Sequence, residues 1–315
     1  MTTPRINGRA VFFALARMVS VATAAVCMAE GKLRIAATTT MVADLAESVA
    51  GDHAIVTGLM GPGVDPHLYK ATASDINTLQ SADLILYNGL YLEGRLADLL
   101  VKLGRRGKPV YAVTESLPEA KLLEPEEFQG HYDPHVWFDP RLWALCVETV
   151  VEALSSIDSP NKSRYAKQGE LVKSRYLEFY NWGKQYMSSL SPEQRYLVTS
   201  HDAYNYFGRA FDFQVIGVQG ISTQSEAGLA DIVQIVKFIK EKGIKAIFVE
   251  SSVSPAAIQR ISQDSGVTIG GELFSDAMGT KGHMGRARDG SQFDLGTYEG
   301  MVKGNISTIT DALAE

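Results

Sequence analysis

Residues 161–190 contain no proline, and this stretch constrains the fold more than any other part of the chain. It is charged and aromatic, with Gly169 and Gly183 as weak interruptions, and it predicts one long helix. About twenty-five helical residues at 1.5 Å each span roughly 35 to 40 Å, the length of a domain. On both sides the apolar pattern alternates between strand and helix periods. Before it, strands are expected at 32–37, 54–59, 83–88 and 109–113, and helices at 41–49, 73–81, 92–103 and 141–156. After it, strands are expected at 195–199, 214–218, 246–250 and 267–269, and helices at 203–211, 226–242, 255–265 and 296–314. Such alternation builds βαβ units, in which ligands collect beyond the carboxyl ends of the strands. The expected fold class is therefore α/β, with two lobes, each a mostly parallel sheet flanked by helices, joined by the linking helix. A chain of 315 residues also exceeds what one core usually holds. The expected partition is an N-terminal lobe over 30–158, the link over 159–190 and a C-terminal lobe over 191–315.

Residues 1–29 read as a secretory signal: Arg5 and Arg9 form a basic start, an apolar run extends from Val11 to Met28 around Arg17, and small residues follow. Cleavage is expected after Ala24 or Ala29. The run is short for a membrane span and is broken by Arg17. Val26 stands just before Cys27, where a lipoprotein signal has a small residue, so the mature chain is expected in the periplasm without a lipid anchor. The two cysteines, Cys27 and Cys146, imply no disulfide framework. A net charge of −6, with no stripe of Lys and Arg, argues against nucleic acid as a partner.

Two short segments carry the chemistry. Asp65-Pro66-His67 in GPGVDPHLY is repeated as Asp133-Pro134-His135 in HYDPHVWFDP, each copy followed by an apolar residue and an aromatic. The proline fixes its own φ and drives the preceding Asp toward extended geometry, so each histidine leaves its loop in a restricted direction. One such triplet is readily a turn with a solvated histidine. Two of them in a chain with six histidines, plus a third histidine in a like setting, point to metal. That third is His201 in TSHDAYNYF, between a strand and a helix; Asp276 in GGELFSDAMG follows a short strand. Alone, His201 reads equally well as a capping or core histidine, and Asp276 as a turn residue. Together, three imidazoles and one carboxylate would close around a divalent cation between the lobes, a donor set that favours zinc and tolerates manganese or iron. His53, His131 and His283 read as surface histidines, with His131 nearest to the site in sequence.

GPGVDPHLY, ADLILYNGL, DPHVWFD, LVTSHDAYNYF, FVESS and GGELFSDAMG, in this order, resemble the cluster 9 solute-binding proteins of bacterial zinc and manganese ABC transporters, the TroA-like type above all. The resemblance spans nearly all of the mature chain. It implies a metal site made of His67, His135, His201 and Asp276, with Zn2+ or Mn2+ as transported ligand. It also implies a monomer that hands the ion to a membrane permease driven by a cytoplasmic ATPase, and no enzymatic activity. Two departures pull apart: His201 stands where dedicated manganese binders typically have Glu, which leans toward zinc, whereas residues 121–130 lack the histidine-rich loop of many zinc-uptake members. The alternatives are an adhesin-like surface protein on the same fold and a zinc hydrolase. The chain has no HExxH helix or nucleophile elbow to support the latter.

Overall fold

The computed structural model describes residues 31–128 and 130–314; the expected signal segment, with Cys27, lies outside the described residues. In the N-terminal lobe, β1 (Leu33–Ala37), β2 (Ala54–Gly58), β3 (Leu84–Tyr87) and β4 (Val110–Ala112) form one sheet in the order β2-β1-β3-β4. Every pair in it is parallel. The intervening helices are α1 (Thr40–Ala50), α2 (Ala73–Ser81) and α3 (Ala97–Arg105). Thr39 caps α1 through its hydroxyl, and Thr72 with Asp75 makes a capping box on α2, each supplying a partner for orphan amides of the first turn.

Helix α3 starts later than the residue 92 expected from the spacing of Leu92, Leu96, Leu100 and Leu103, all of which are buried. The backbone explains the delay. Gly89, Leu90 and Tyr91 all have positive φ, and the Glu93 carboxylate accepts hydrogen bonds from the Asn88 and Gly89 amides. The chain therefore turns back on itself before it can wind, so Leu92 and Leu96 bury from hydrogen-bonded turns and only Leu100 and Leu103 from the helix.

Helix α4 (Pro140–Ile157) opens directly behind the second Asp-Pro-His loop, with Asp139 as N-cap and Pro140 in the first turn. Its inner face buries Trp143, Cys146, Val147, Val150 and Leu154. Helix α5 (Lys162–Tyr186) is the expected link, and it tightens into a 3-10 turn at Met187–Ser189 rather than running on to residue 190. Its two glycines are packing sites, not interruptions. A Cβ on Gly169 would lie 2.7 Å from Val151 of α4, and one on Gly183 would lie 2.5 Å from Ile306 of the last helix. The same buried stripe, from Tyr165 to Gly183, thus meets the first lobe at one end and the second at the other.

In the C-terminal lobe, β5 (Tyr196–His201) pairs in parallel with β6 (Gln214–Gln219), and β7 (Ala246–Glu250) with β8 (Thr268–Leu273), β5 lying beside β7. Helices α6 (Asn205–Phe211), α7 (Leu229–Lys242) and α8 (Ala256–Ser265) flank them. A hairpin absent from the expectation, β9 (Met284–Arg286) with β10 (Gln292–Asp294), precedes α9 (Tyr298–Ala314). The largest apolar cluster is continuous across both lobes: it runs from Ile35 and Trp143 through Tyr176 and Phe179 of α5 to Tyr204, Tyr298 and Ile309. Opening the lobes widely would expose that shared core to water, at about 25 cal/mol for each Å² of apolar surface.

Candidate metal centre

The four side chains singled out from the sequence, His67, His135, His201 and Asp276, meet in one place, each offering one ligand atom within 4.8 Å of the others. In chain order His67 follows β2, His135 follows β4 at a distance, His201 is the last residue of β5, and Asp276 follows β8. They are 3%, 0%, 0% and 1% exposed, so the space between them is closed to anything much larger than an ion. His67 Nε2 lies 3.3 Å from His135 Nε2. One Asp276 oxygen is 3.4 Å from His135 Nε2 and the other is 3.4 Å from His201 Nε2. These are contacts around a centre rather than hydrogen bonds in good geometry: among the described residues, His201 Nε2 and Asp276 Oδ1 are buried without a hydrogen-bond partner. A buried polar atom left without a partner costs free energy unless something absent from the protein itself satisfies it.

The surrounding carboxylates decide which nitrogen faces inward. Asp133 Oδ1 accepts both the His135 amide, at 2.9 Å, and the His135 ring, at Nδ1 and 2.7 Å. Glu250 does the same for His201, with one oxygen 2.8 Å from its amide and the other 2.5 Å from Nδ1. With each Nδ1 proton held by a carboxylate, the Nε2 lone pair points to the centre and gains basicity, which is the usual outer support of a metal-bound histidine. His67 is held differently: Asp65 Oδ1 accepts its amide at 2.8 Å, and no carboxylate touches its ring among the described residues.

Proton affinities follow the same division. Burial alone would lower His135, but the carboxylates of Asp133 and Asp276 outweigh it and hold the ring up at about 9. In His201, burial is likewise overcome by Glu250 and Asp276, and its pKa is raised well above the ordinary value. His67 is pushed down to about 3 by burial, against the opposing pull of the Asp276 carboxylate and with the His135 and His201 imidazoles adding to the push. Asp276 resists the upward push of burial because His201 and His135 face it, and its carboxyl stays well below the usual range. The centre is thus a buried anionic cage that must be neutralised, by protons or by a cation.

The remaining histidines lie elsewhere. His131 is exposed and stacks on Tyr91 with centroids 4.6 Å apart, His283 is exposed, and His53 sets its ring edge-on to Tyr165. Three supporting residues had not been singled out by sequence reasoning. Glu250 is the terminal acid of the apolar strand AIFVE, a weak signal for a buried carboxylate at a strand's carboxyl end. Asn205 donates to Asp133 across the lobes, and Ser252 approaches the second Asp276 oxygen at 3.4 Å; both lie in quoted segments, LVTSHDAYNYF and FVESS, where nothing marked them individually.

Two α/β lobes joined by a bridging helix, with a closed histidine and carboxylate centre at their seam, define a solute-binding protein whose solute is a single ion. The chain belongs to the family of the zinc-uptake complex component A, periplasmic (ZnuA), whose model matches residues 35–312. It is 44% identical to the zinc-binding protein TroA of Treponema pallidum over 91% of this chain and 90% of that one. It is 43% identical to the manganese-binding lipoprotein MntA of Bacillus subtilis over 90% of this chain and 91% of that one. Among solved structures, the periplasmic zinc-binding protein TroA of Treponema pallidum superimposes with a TM-score of 0.84 at 41% identity, covering 90% of this chain and all of that one. The word lipoprotein in the Bacillus name runs against the expectation, drawn from Val26, that no lipid anchor is present.

Proposed function

We propose that this chain is the solute-binding component of an ABC importer, which captures one divalent transition-metal ion outside the inner membrane with His67, His135, His201 and Asp276. It then presents the ion to a permease driven by a cytoplasmic ATPase. In this reading the N-terminal lobe of 30–158 and the C-terminal lobe of 191–315 work about the link of 159–190, and the protein acts as a monomer. The observation that carries it is the convergence of four buried donors on one point, two of them with inward-facing atoms that have no hydrogen-bond partner among the described residues. The near-total burial of all four favours capture over hydrolysis, which needs an open coordination position and room for a substrate.

The relatives do not choose the metal, since a zinc-binding and a manganese-binding protein stand at almost the same identity. The donor set leans to zinc: three neutral imidazoles suit the softer ion, and zinc stands above manganese in the general affinity order. The two Asp276 oxygens face different imidazoles across the centre. A bidentate carboxylate would raise the coordination number toward what manganese accepts, so zinc is favoured and manganese remains a possible cargo. Calorimetric titration of chelator-stripped protein with zinc tests the reading. Saturation at one equivalent per chain is expected, and either no strong binding or two strong equivalents would contradict it.

A further inference from the structure

We propose that the hydrogen bond from Thr223 to Asp65 is a latch across the cleft that sets how fast the metal leaves. The latch rests on the metal-capture reading and concerns release from that same site.

Thr223 lies in the loop between β6 and α7, in the second lobe, where Gln224, Ser225 and Glu226 are exposed and Thr223 itself is buried. Its hydroxyl donates to Asp65 Oδ2 at 2.6 Å. The other Asp65 oxygen accepts the backbone amide of His67 at 2.8 Å. One carboxylate therefore ties the opposite lobe to the backbone of a metal-facing histidine. Among the described residues this is the one hydrogen bond that the segment 59–71 makes to the second lobe. The segment is tied to its own lobe at both ends, by the Leu59 and Met60 amides on the Ala37 and Thr38 carbonyls and by Tyr69 on Asp75, while its middle is exposed. Gly61, Pro62 and Gly63 are exposed, Gly63 has a φ of +72°, and Leu68 is exposed next to His67 itself. His67, moreover, is the imidazole of the centre whose ring makes no hydrogen bond to a carboxylate among the described residues.

The other histidines of the centre offer no comparable way out. The His135 loop is joined to the second lobe by Tyr206, which donates to the Asp133 carbonyl, and by Trp137, which donates to the Ser275 carbonyl. His201 is a strand residue clamped by Glu250. Loss of metal without disturbing the shared core therefore begins where the His67 segment lifts away, and its cross-lobe restraint is the Thr223 hydroxyl. A hydrogen bond to a charged acceptor is among the stronger ones, and breaking it costs enough to slow a loop.

Thr223→Val keeps the shape of the side chain and removes the donor, and Thr223→Ser keeps the donor. Zinc-loaded protein mixed with excess chelator in a stopped-flow instrument gives the release rate directly. Thr223→Val is expected to release zinc about tenfold faster, as loss of one charge-assisted hydrogen bond implies. Thr223→Ser is expected to release at the parent's rate. Release from Thr223→Val at the parent's rate, or from Thr223→Ser as fast as from Thr223→Val, overturns the latch while leaving metal capture standing. A parent chain that takes up no zinc overturns both.

Discussion

Asp133 of the second Asp-Pro-His triplet holds the ring of its histidine as well as the amide, whereas Asp65 of the first holds the amide alone and sends its other oxygen across to Thr223. The residues after the two triplets differ as much. Behind His135 come Val136, Trp137 and Phe138, all buried, and a capped helix, with the Phe138 ring tilted against Tyr204 of the other lobe at a centroid distance of 4.2 Å. Behind His67 come exposed Leu68 and half-buried Tyr69, which leads into the capped helix α2 within its own lobe. Identical triplets thus supply one fixed donor and one donor whose restraint can be undone, because the surroundings, not the motif, decide how firmly a ligand is held. Firm binding and timely release are opposing demands on a transport protein, and here they fall on different loops.

The largest test of this contrast is removal of each imidazole. His135→Ala is expected to weaken zinc binding by more than the roughly 10- to 100-fold that loss of an outer partner alone costs. It also leaves the buried Asp133 carboxylate without its ring partner, so the metal-free protein should lose stability, toward the roughly 3–5 kcal/mol typical of breaking a buried pair. His67→Ala orphans no carboxylate and should weaken zinc less, with the metal-free fold unchanged. Zinc affinity and chemical denaturation of the two variants check both halves, and equal losses would erase the contrast. Next in size is Asp133→Asn, in which the amide can no longer take the Nδ1 proton as a carboxylate does. Zinc affinity should fall by about 10- to 100-fold, and an unchanged affinity would show that the ring needs no such support.

The contrast that separates the loops most cleanly is in protons. His135 is held up at about 9, so at neutral pH the metal-free ring carries a proton that zinc must displace from Nε2. His67, at about 3, carries none to displace. Because the raised group is protonated below its pKa, apparent zinc affinity should rise with pH up to about 9, by at most tenfold per unit for each proton displaced. Calorimetry in buffers of different ionisation enthalpy counts those protons. The count should drop in His135→Ala and stay unchanged in His67→Ala; the reverse would mean that the proton affinities of the two rings are misassigned.

The sequence already held the α/β alternation, the linking helix and the four side chains that converge on the candidate centre, because these depend on local period, on proline geometry and on position at the ends of strands. What it hid depends on distant partners. Glu250 supports His201 from 49 residues away and Thr223 reaches Asp65 from 158 away, pairings that no local pattern encodes. The late start of α3 was masked for another reason: its leucines keep helical spacing while Leu90 and Tyr91 adopt left-handed backbone and Glu93 binds backward. The β9–β10 hairpin escaped because each strand has three residues, too few for an alternating pattern to show.

Anomalous diffraction from zinc-loaded crystals, collected on both sides of the zinc edge, tests the central claim most directly. One strong peak per chain is expected, within coordination distance of Nε2 of His67, His135 and His201 and of the Asp276 carboxylate. A chain that has taken up zinc but shows its peak at His53, His131 or His283, with the central four side chains free of metal, would contradict the account.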